Sequence, residues 1–169
     1  MKKAAKVSVD AHKRAMKFCK SGILEYQLQA EIEHEFQMSG ANGPAYTSIV
    51  GGGANGCILH YIENKDVLKN GDLVLIDAGC EFADYASDIT RTFPVNGKFS
   101  NEQAAIYDIV LKALKEAIDV TQAGIPYNKT NETTIRVITE GLLDLGLLTG
   151  DINDPVSYTH LTLPTSDLV

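Results

Sequence analysis

The chain has 169 residues, a hydrophobic content of 44% and a formal net charge of −7. That length suits one ordinary domain, and an acidic chain without a basic stripe is a poor candidate for nucleic-acid binding. No apolar stretch reaches the length of a membrane span, and the N-terminus lacks the apolar core of a signal peptide. The three cysteines lack metal-type spacing, so we expect reduced thiols in a cytoplasmic protein.

Two helices are predicted in the first forty residues. In the first, Val9, Met16 and Cys19 fall on one helical face. The second has an apolar stripe in steps of four, formed by Leu24, Leu28, Ile32 and Phe36. Glu25 lies on the opposite, polar face of this second helix, and Gly40 is expected to follow its end.

The centre of the sequence is residues 71–94, GDLVLIDAGCEFADYASDITRTFP. Its opening apolar run, residues 73–76, predicts a strand that is buried on both faces. Asp77 ends this strand. A turn and a second strand-like segment follow, and Asp88 lies near the start of that segment. The pattern therefore predicts a β-hairpin with one aspartate on each arm.

The spacing of the two aspartates sets their expected relation across the hairpin. If the turn is centred between Phe82 and Ala83, Asp77 and Asp88 oppose each other with Cβ atoms about 4.5–5.5 Å apart. Two like charges at that distance call for a shared proton or a cation, and a divalent cation prefers carboxylate oxygens. Two alternatives remain: aspartate is common in turns, and a one-residue change of register would separate the pair.

The four histidines differ in context. His12 and His34 lie within the predicted helices and are interpreted as surface or boundary residues without a role. His60 lies in a short strand or extended segment, residues 57–61, just before the hairpin. Taken alone it is more often structural, yet its position also suits a neutral imidazole near the carboxylates. His160 has no identifiable partner.

Two further helices are predicted after the hairpin. Ser100 and Gln103 form a capping box at the start of the first. Its apolar stripe consists of Ile106, Ile109, Val110, Ala113, Leu114, Ala117 and Ile118. The stripe of the second, about residues 130–145, consists of Ile135, Ile138, Leu142 and Leu145. Both stripes are interpreted as core.

Taken together, these segments resemble a known family. IDAG, the eleven residues from Asp77 to Asp88, DITRTFP, and NGCILHY upstream resemble the C-terminal catalytic domain of the Xaa-Pro aminopeptidases (aminopeptidase P). The resemblance runs from Ala4 to Pro155. Prolidases share IDAG and DITRTFP closely, whereas methionine aminopeptidases share only a looser two-aspartate pattern.

The resemblance implies a fold and a domain organisation. We expect an α+β chain with part of the pita-bread fold, in which helices lie on a curved, mostly antiparallel sheet and the second half is incomplete. Residues 1–155 are expected to form the N-terminal part of the metallopeptidase domain. Residues 156–169 look foreign to the family.

The resemblance also implies a site. A dinuclear centre, usually of Mn²⁺, is expected, with Asp77 as a bidentate ligand of one metal and Asp88 as a bridge between both. His60 matches the histidine that assists substrate binding and proton handling. The family's remaining ligands, one histidine and two glutamates from later motifs, are not found in this sequence.

The implied activity is the metal-dependent release of the N-terminal residue from peptides with proline in second position. We expect this chain, as written, to be inactive and marginally stable. The expected partners are X-Pro peptides, with no nucleic acid and no membrane, and homo-oligomerisation of the full-length protein is left open. The alternatives are a prolidase acting on X-Pro dipeptides and a non-catalytic pita-bread scaffold. The presence of Asp77, Asp88 and His60 together argues against the scaffold.

Overall fold

A computed structural model describes residues 1–150, which fall into two compact units, residues 1–99 and the residues from 100 onward. The helices and strands are, in chain order, α1 (Lys2–Phe18), α2 (Glu25–Met38), β1 (Gly43–Pro44), β2 (Ile49–Gly52), a 3₁₀ helix (Gly53–Cys57), β3 (Leu73–Ala78), β4 (Cys80–Phe82), β5 (Tyr85–Ala86), β6 (Ile89–Pro94), α3 (Asn101–Val120) and α4 (Asn128–Asp144). Helices combined with antiparallel sheets confirm the α+β class. The tail assigned to residues 156–169 lies outside the described residues.

The central hairpin is present, with a turn one residue later than predicted. Ala83 and Asp84 have φ values of 49° and 65°, the left-handed pair of a two-residue hairpin turn. β3 therefore pairs with β6 so that Asp77 opposes Thr90, and the predicted direct opposition of Asp77 and Asp88 is wrong. A shift of the turn by one residue changes the cross-strand partner of every residue by two positions. Because side chains alternate between faces with period two, Asp88 stays on the face of Asp77.

The first strand of the hairpin is buried mainly on one face. Val74, Ile76 and Ala78 are completely buried, whereas Leu73 and Leu75 are only partly buried. The prediction of burial on both faces is therefore wrong. β3 is the middle strand of the sheet β2-β3-β6, and its alternating burial is typical of an antiparallel sheet that is covered on one side.

The hairpin passes from this sheet into a second one, β1-β4-β5, at Gly79 on one arm and Ser87 on the other. The two arms approach so closely here that a Cβ atom at Gly79 would overlap the Ser87 carbonyl group. Ser8 of α1 secures the crossing. Its hydroxyl lies 2.7 Å from the Ser87 hydroxyl and accepts a 3.0 Å hydrogen bond from the Cys80 N–H. Asp88 directly follows this crossing.

Helix α1 packs on the hairpin through small side chains. Its buried residues are Ala4, Val7, Ser8, Ala11, His12 and Ala15. The predicted face is wrong, because Val9 and Met16 are exposed. Small residues let the helix lie close to β4 and β6. A search for apolar periodicity gives alanine and serine little weight, so it did not find this face. His12 is buried rather than on the surface, with its Nδ1 atom 2.8 Å from the Ser8 carbonyl oxygen.

Helix α2 buries the predicted stripe. Leu28, Ile32 and Phe36 have no exposed surface. Glu25, assigned to the polar face, is also completely buried, because it is the first residue of the helix and lies under the loop that precedes β3.

The second unit is described by α3 and α4. The capping box is confirmed by hydrogen bonds from the Gln103 N–H to the Ser100 hydroxyl (3.2 Å) and from the Ser100 N–H to the Gln103 amide oxygen (2.9 Å). The prediction that both stripes are core is wrong in part. In the first stripe Ala113 and Ala117 are buried, but Ile106, Val110, Leu114 and Ile118 are exposed. In the second stripe no member is buried, and Ile135 and Leu145 are exposed; the buried apolar residue of that helix is Val137, which lies outside the predicted stripe. Two paired helices can bury only the sides that face each other. No helix within residues 1–150 is long and apolar enough to cross a membrane.

The crossing at Gly79 gives a testable prediction. Gly79→Ala should lower the free energy of unfolding by about 3 kcal/mol, because the added methyl group cannot fit against the Ser87 backbone without moving one arm of the hairpin. Urea unfolding measures the change. Gly97→Ala is the control: its Cβ would meet nothing within 4 Å, so only the left-handed backbone (φ 76°) should cost free energy, about 1 kcal/mol. Equal losses in the two variants would contradict the steric explanation.

Candidate metal site

The segment between β1 and β2 brings a tyrosine to the aspartates. β1 pairs with β4 and β2 pairs with β3, so both ends of this segment are attached to the central hairpin. The Ala45 N–H donates to the Gly79 carbonyl oxygen at 2.8 Å, directly beside the crossing. The next residue is Tyr46, whose side chain is partly buried.

One hydroxyl group links the two carboxylates. The Tyr46 hydroxyl lies 2.6 Å from Oδ1 of Asp77 and 3.0 Å from Oδ1 of Asp88. The two oxygens can therefore be no farther apart than the sum of these distances. Asp77 is partly buried and Asp88 is exposed. The structure thus brings the two predicted ligand residues to one point, as diagonal rather than direct neighbours.

The tyrosine keeps its proton to unusually high pH. Burial, followed by the hydrogen bond to Asp77 and then the contact with Asp88, raises the pKa of Tyr46 well above its ordinary value of 10.0. A neutral phenol has a single proton, so it can donate to only one of the two carboxylates at a time. Two carboxylates that share one donor retain unsatisfied oxygen lone pairs and negative charge, which a cation can satisfy.

His60 is not hydrogen-bonded to this pair of aspartates in the described part of the chain. Residues 53–57 form a 3₁₀ helix and His60 follows in a turn, so the predicted strand or extended segment over residues 57–61 is wrong. The Asn55 side chain donates to Glu25 and Asp66, which holds the chain in a curled conformation. His60 is exposed with a φ of 55°, and in the described part of the chain it makes no hydrogen bond to Asp77 or Asp88. Its role therefore stays a prediction.

The donor set fits part of a divalent-metal site. Carboxylate oxygens are the ligands that hard divalent cations prefer, and Asp77 and Asp88 offer them on one face of a rigid hairpin. Within residues 1–150 no group of three or more His, Cys, Asp or Glu side chains could hold a metal ion. The described residues therefore offer two carboxylates as candidate ligands, and no third His, Cys, Asp or Glu side chain joins them there.

Comparison with known proteins identifies the family. The model of metallopeptidase family M24 matches residues 1–162. The chain belongs to this family. It is 48% identical over 157 residues to the Xaa-Pro aminopeptidase of Escherichia coli and 52% identical over 153 residues to that of Haemophilus influenzae. These alignments cover 93% and 90% of this chain but only 36% of each relative, so the chain spans about a third of their length.

Solved structures agree with the sequence relatives. The M24 chain resembles the structure of Pseudomonas aeruginosa aminopeptidase PepP with a TM-score of 0.92 and 55% identity, over 95% of this chain and 36% of that one. A structure of Escherichia coli aminopeptidase P in complex with substrate gives a TM-score of 0.89. The resemblance to aminopeptidase P and the partial pita-bread, α+β fold are thereby confirmed. A metallopeptidase family also implies a divalent metal ion, to which Asp77 and Asp88 would be suited.

Tyr46 is the site residue that sequence reasoning missed. It lies in a short β-rich stretch, residues 45–50, with no motif spacing that relates it to the aspartates. The only signal was a hydroxyl-bearing aromatic residue next to a buried strand, since such a hydroxyl needs a hydrogen-bond partner.

The raised pKa of Tyr46 predicts a loss of stability at alkaline pH. Below about pH 10 both folded and unfolded chains keep the phenol proton; above it the unfolded chain releases the proton while the folded chain retains it. The free energy of unfolding should therefore fall as the pH rises above about 10, and Tyr46→Phe should reduce that fall. Urea unfolding at pH 8 and pH 11 measures it. Tyr85→Phe, which removes an exposed hydroxyl, is the matched control. The same pH dependence in wild type and Tyr46→Phe would show that the Tyr46 hydroxyl does not cause the loss of stability at alkaline pH.

Proposed function

We propose that this chain supplies the two-aspartate part of the metal centre in an aminopeptidase that releases the N-terminal residue from peptides with proline in second position. The observation that carries the proposal is the convergence of Asp77 and Asp88 on the Tyr46 hydroxyl. The similarity to the Xaa-Pro aminopeptidases of Escherichia coli and Haemophilus influenzae supports the substrate class.

In this proposal each residue has a separate task. Asp77, near the end of β3, and Asp88, directly after the crossing, would hold the divalent metal through their carboxylate oxygens. Manganese is the proposed metal, and the solved structure of a zinc-substituted Escherichia coli aminopeptidase P supports binding of divalent ions at such a centre. A divalent metal held there would supply an activated water as nucleophile and polarise the substrate carbonyl. Tyr46 orients the two carboxylates through its hydroxyl, and His60 handles a proton of the substrate.

The isolated 169-residue chain should bind Mn²⁺ weakly and release no residue from an X-Pro peptide. Two carboxylates cannot enclose two ions, which need terminal and bridging ligands from several directions. Isothermal titration should give a dissociation constant no tighter than about 10⁻⁴ M, and chromatography of an X-Pro-Y tripeptide should show no product. Robust turnover by this chain would overturn the proposal that it is inactive as written.

A chimera tests the proposed function directly. Residues 1–150 replace the matching segment of the Escherichia coli Xaa-Pro aminopeptidase, so that the rest of the relative completes the centre. The chimera should release the N-terminal residue of X-Pro-Y peptides in the presence of Mn²⁺. Asp77→Asn and Asp88→Asn should each lower kcat/KM at least about a thousandfold, because loss of a ligand removes the metal-dependent nucleophile.

Asp84→Asn is the matched control for these variants, because it changes an exposed carboxylate in the turn of the same hairpin. It should retain the activity of the unmodified chimera. If the chimera folds and Asp77→Asn retains activity, Asp77 is not a metal ligand and the proposal fails. The prolidase alternative is tested on the full-length protein instead, by comparing cleavage of an X-Pro dipeptide with cleavage of a longer X-Pro peptide.

A further inference from the structure

The loop that presents His60 is held with little help from hydrophobic burial. Ile58, Leu59 and Ile62 are 55%, 85% and 58% exposed, and His60 itself is exposed. His60 nevertheless has a φ of 55°, a left-handed conformation that costs free energy in a residue other than glycine. Such a conformation persists only where the surroundings enforce it. Other contacts therefore have to hold this turn.

Those contacts converge on one buried carboxylate. Glu25, the first residue of α2, has no exposed surface. Its Oε1 atom accepts hydrogen bonds from the Gly52 N–H (2.8 Å) and the Asn55 side-chain amide (3.0 Å). Its Oε2 atom accepts from the Tyr61 hydroxyl (2.8 Å) and the Asp66 N–H (3.0 Å). Gly52 precedes the loop of residues 53–62, Asn55 and Tyr61 lie within it, and Asp66 follows it.

Two of the four donors flank His60 in the sequence. Asn55 lies in the 3₁₀ helix, and Tyr61, which is only 8% exposed, directly follows the histidine. The Asn55 amide nitrogen also lies 3.0 Å from the Tyr61 hydroxyl and 2.9 Å from Oδ2 of Asp66. Glu25, Asn55 and Tyr61 thus lie within hydrogen-bond distance of one another beneath the turn, and we call these three side chains the ring. The Asn55 amide has two hydrogens for its three acceptors, whereas Glu25 accepts from both Asn55 and Tyr61, so Glu25 is the group that joins the two sides of the turn.

Gln29, a second side chain of α2, is bonded to Asn64, which lies just beyond the C-terminal end of the His60 loop. Asn64, which is buried and has a φ of 46°, accepts a 3.0 Å hydrogen bond from the Val50 N–H. It donates to the Gln29 side chain and to the Ser48 carbonyl oxygen, each at 2.8 Å. Glu25 and Gln29 are one helical turn apart, so one helix face holds both ends of the segment that carries His60.

The chemistry of the ring requires a carboxylate at position 25. All four partners of Glu25 are donors, and a buried carboxylate can accept from all of them. The positive end of the α2 dipole adds to its stabilisation. A glutamine would place an N–H₂ group against two of these donors, and each oxygen position faces a backbone N–H that cannot turn away. The substitution would therefore leave at least one buried donor without an acceptor.

We propose that Glu25 is a positioning residue for His60, acting through Asn55 and Tyr61 to hold the turn that presents the imidazole. The link to catalysis rests on the proposed function, in which His60 handles a proton, but the effect on the conformation of the turn does not. Among the described residues Glu25 makes no hydrogen bond to Asp77 or Asp88. It connects helix α2 to the His60 loop and, through the Gly52 N–H, to the end of strand β2, which pairs with β3.

The test compares Glu25→Gln with wild type in the full 169-residue chain, without metal or peptide. Hydrogen exchange followed by mass spectrometry should show amides of residues 53–62 exchanging about tenfold faster in Glu25→Gln, while strand β3 keeps its protection. The His60 imidazole signals in a ¹H–¹³C NMR spectrum should shift and broaden. Glu31→Gln is the matched control: it changes a glutamate of the same helix whose partner is Arg14 of α1, and it should alter neither readout.

Tyr61→Phe is the second variant, in case Glu25→Gln does not fold. It removes one hydroxyl of the ring and should move the His60 signals in the same direction with a smaller change in exchange. Unchanged exchange and unchanged His60 signals in a folded variant would overturn the proposal. Equal loss of protection in the loop and in β3 would overturn it as well, because Glu25 would then serve general stability. Neither readout involves metal binding, so failure here is distinguishable from failure of the two-aspartate centre.

Discussion

The close approach of Gly79 and Ser87 is the constraint on which the candidate site depends. The two arms of the hairpin touch through their backbones there, where both arms pass from the sheet β2-β3-β6 into the sheet β1-β4-β5. Buried hydrogen bonds from Ser8 keep the arms in that position. Asp88 follows the crossing directly and Asp77 precedes it by two residues. A glycine at position 79 therefore helps to set the positions of both aspartates, although it has no side chain of its own.

Buried polar groups hold the rest of the site in place. Ser8 secures the crossing from α1, while Glu25 and Gln29 hold the His60 loop from α2. Burying such groups is costly unless nearly all of their hydrogen bonds are made. Among the described residues, only Nε2 of His12 and the Ser48 hydroxyl are buried without a partner. A nearly complete set of bonds gives rigid supports, which a metal centre needs because its ligands tolerate little displacement.

The features of this chain that depend on neighbouring residues were predictable from its sequence, and those that depend on distant residues were not. The hairpin, the apolar stripe of α2 and the capping box at Ser100 were predictable, because strand alternation, helical periodicity and caps are set by neighbouring residues. Asp77 and Asp88 lie on the same face of the hairpin, as predicted, although the turn position was wrong, because the error changed the strand pairing by an even number of residues. The buried face of α1 was not predictable from apolar spacing, because alanine and serine mark it weakly.

Sequence motifs alone were enough to place the chain in its family and to name Asp77 and Asp88, because a strand that ends in a carboxylate and a hairpin that carries a second one form a local pattern. Tertiary structure decided what that pattern becomes. It brought Tyr46 onto both carboxylates from a segment that joins two other strands, and it buried Glu25 beneath the His60 loop. These contacts join residues about thirty or more positions apart. Such pairings depend on which faces pack together, and periodicity along the chain does not encode that choice.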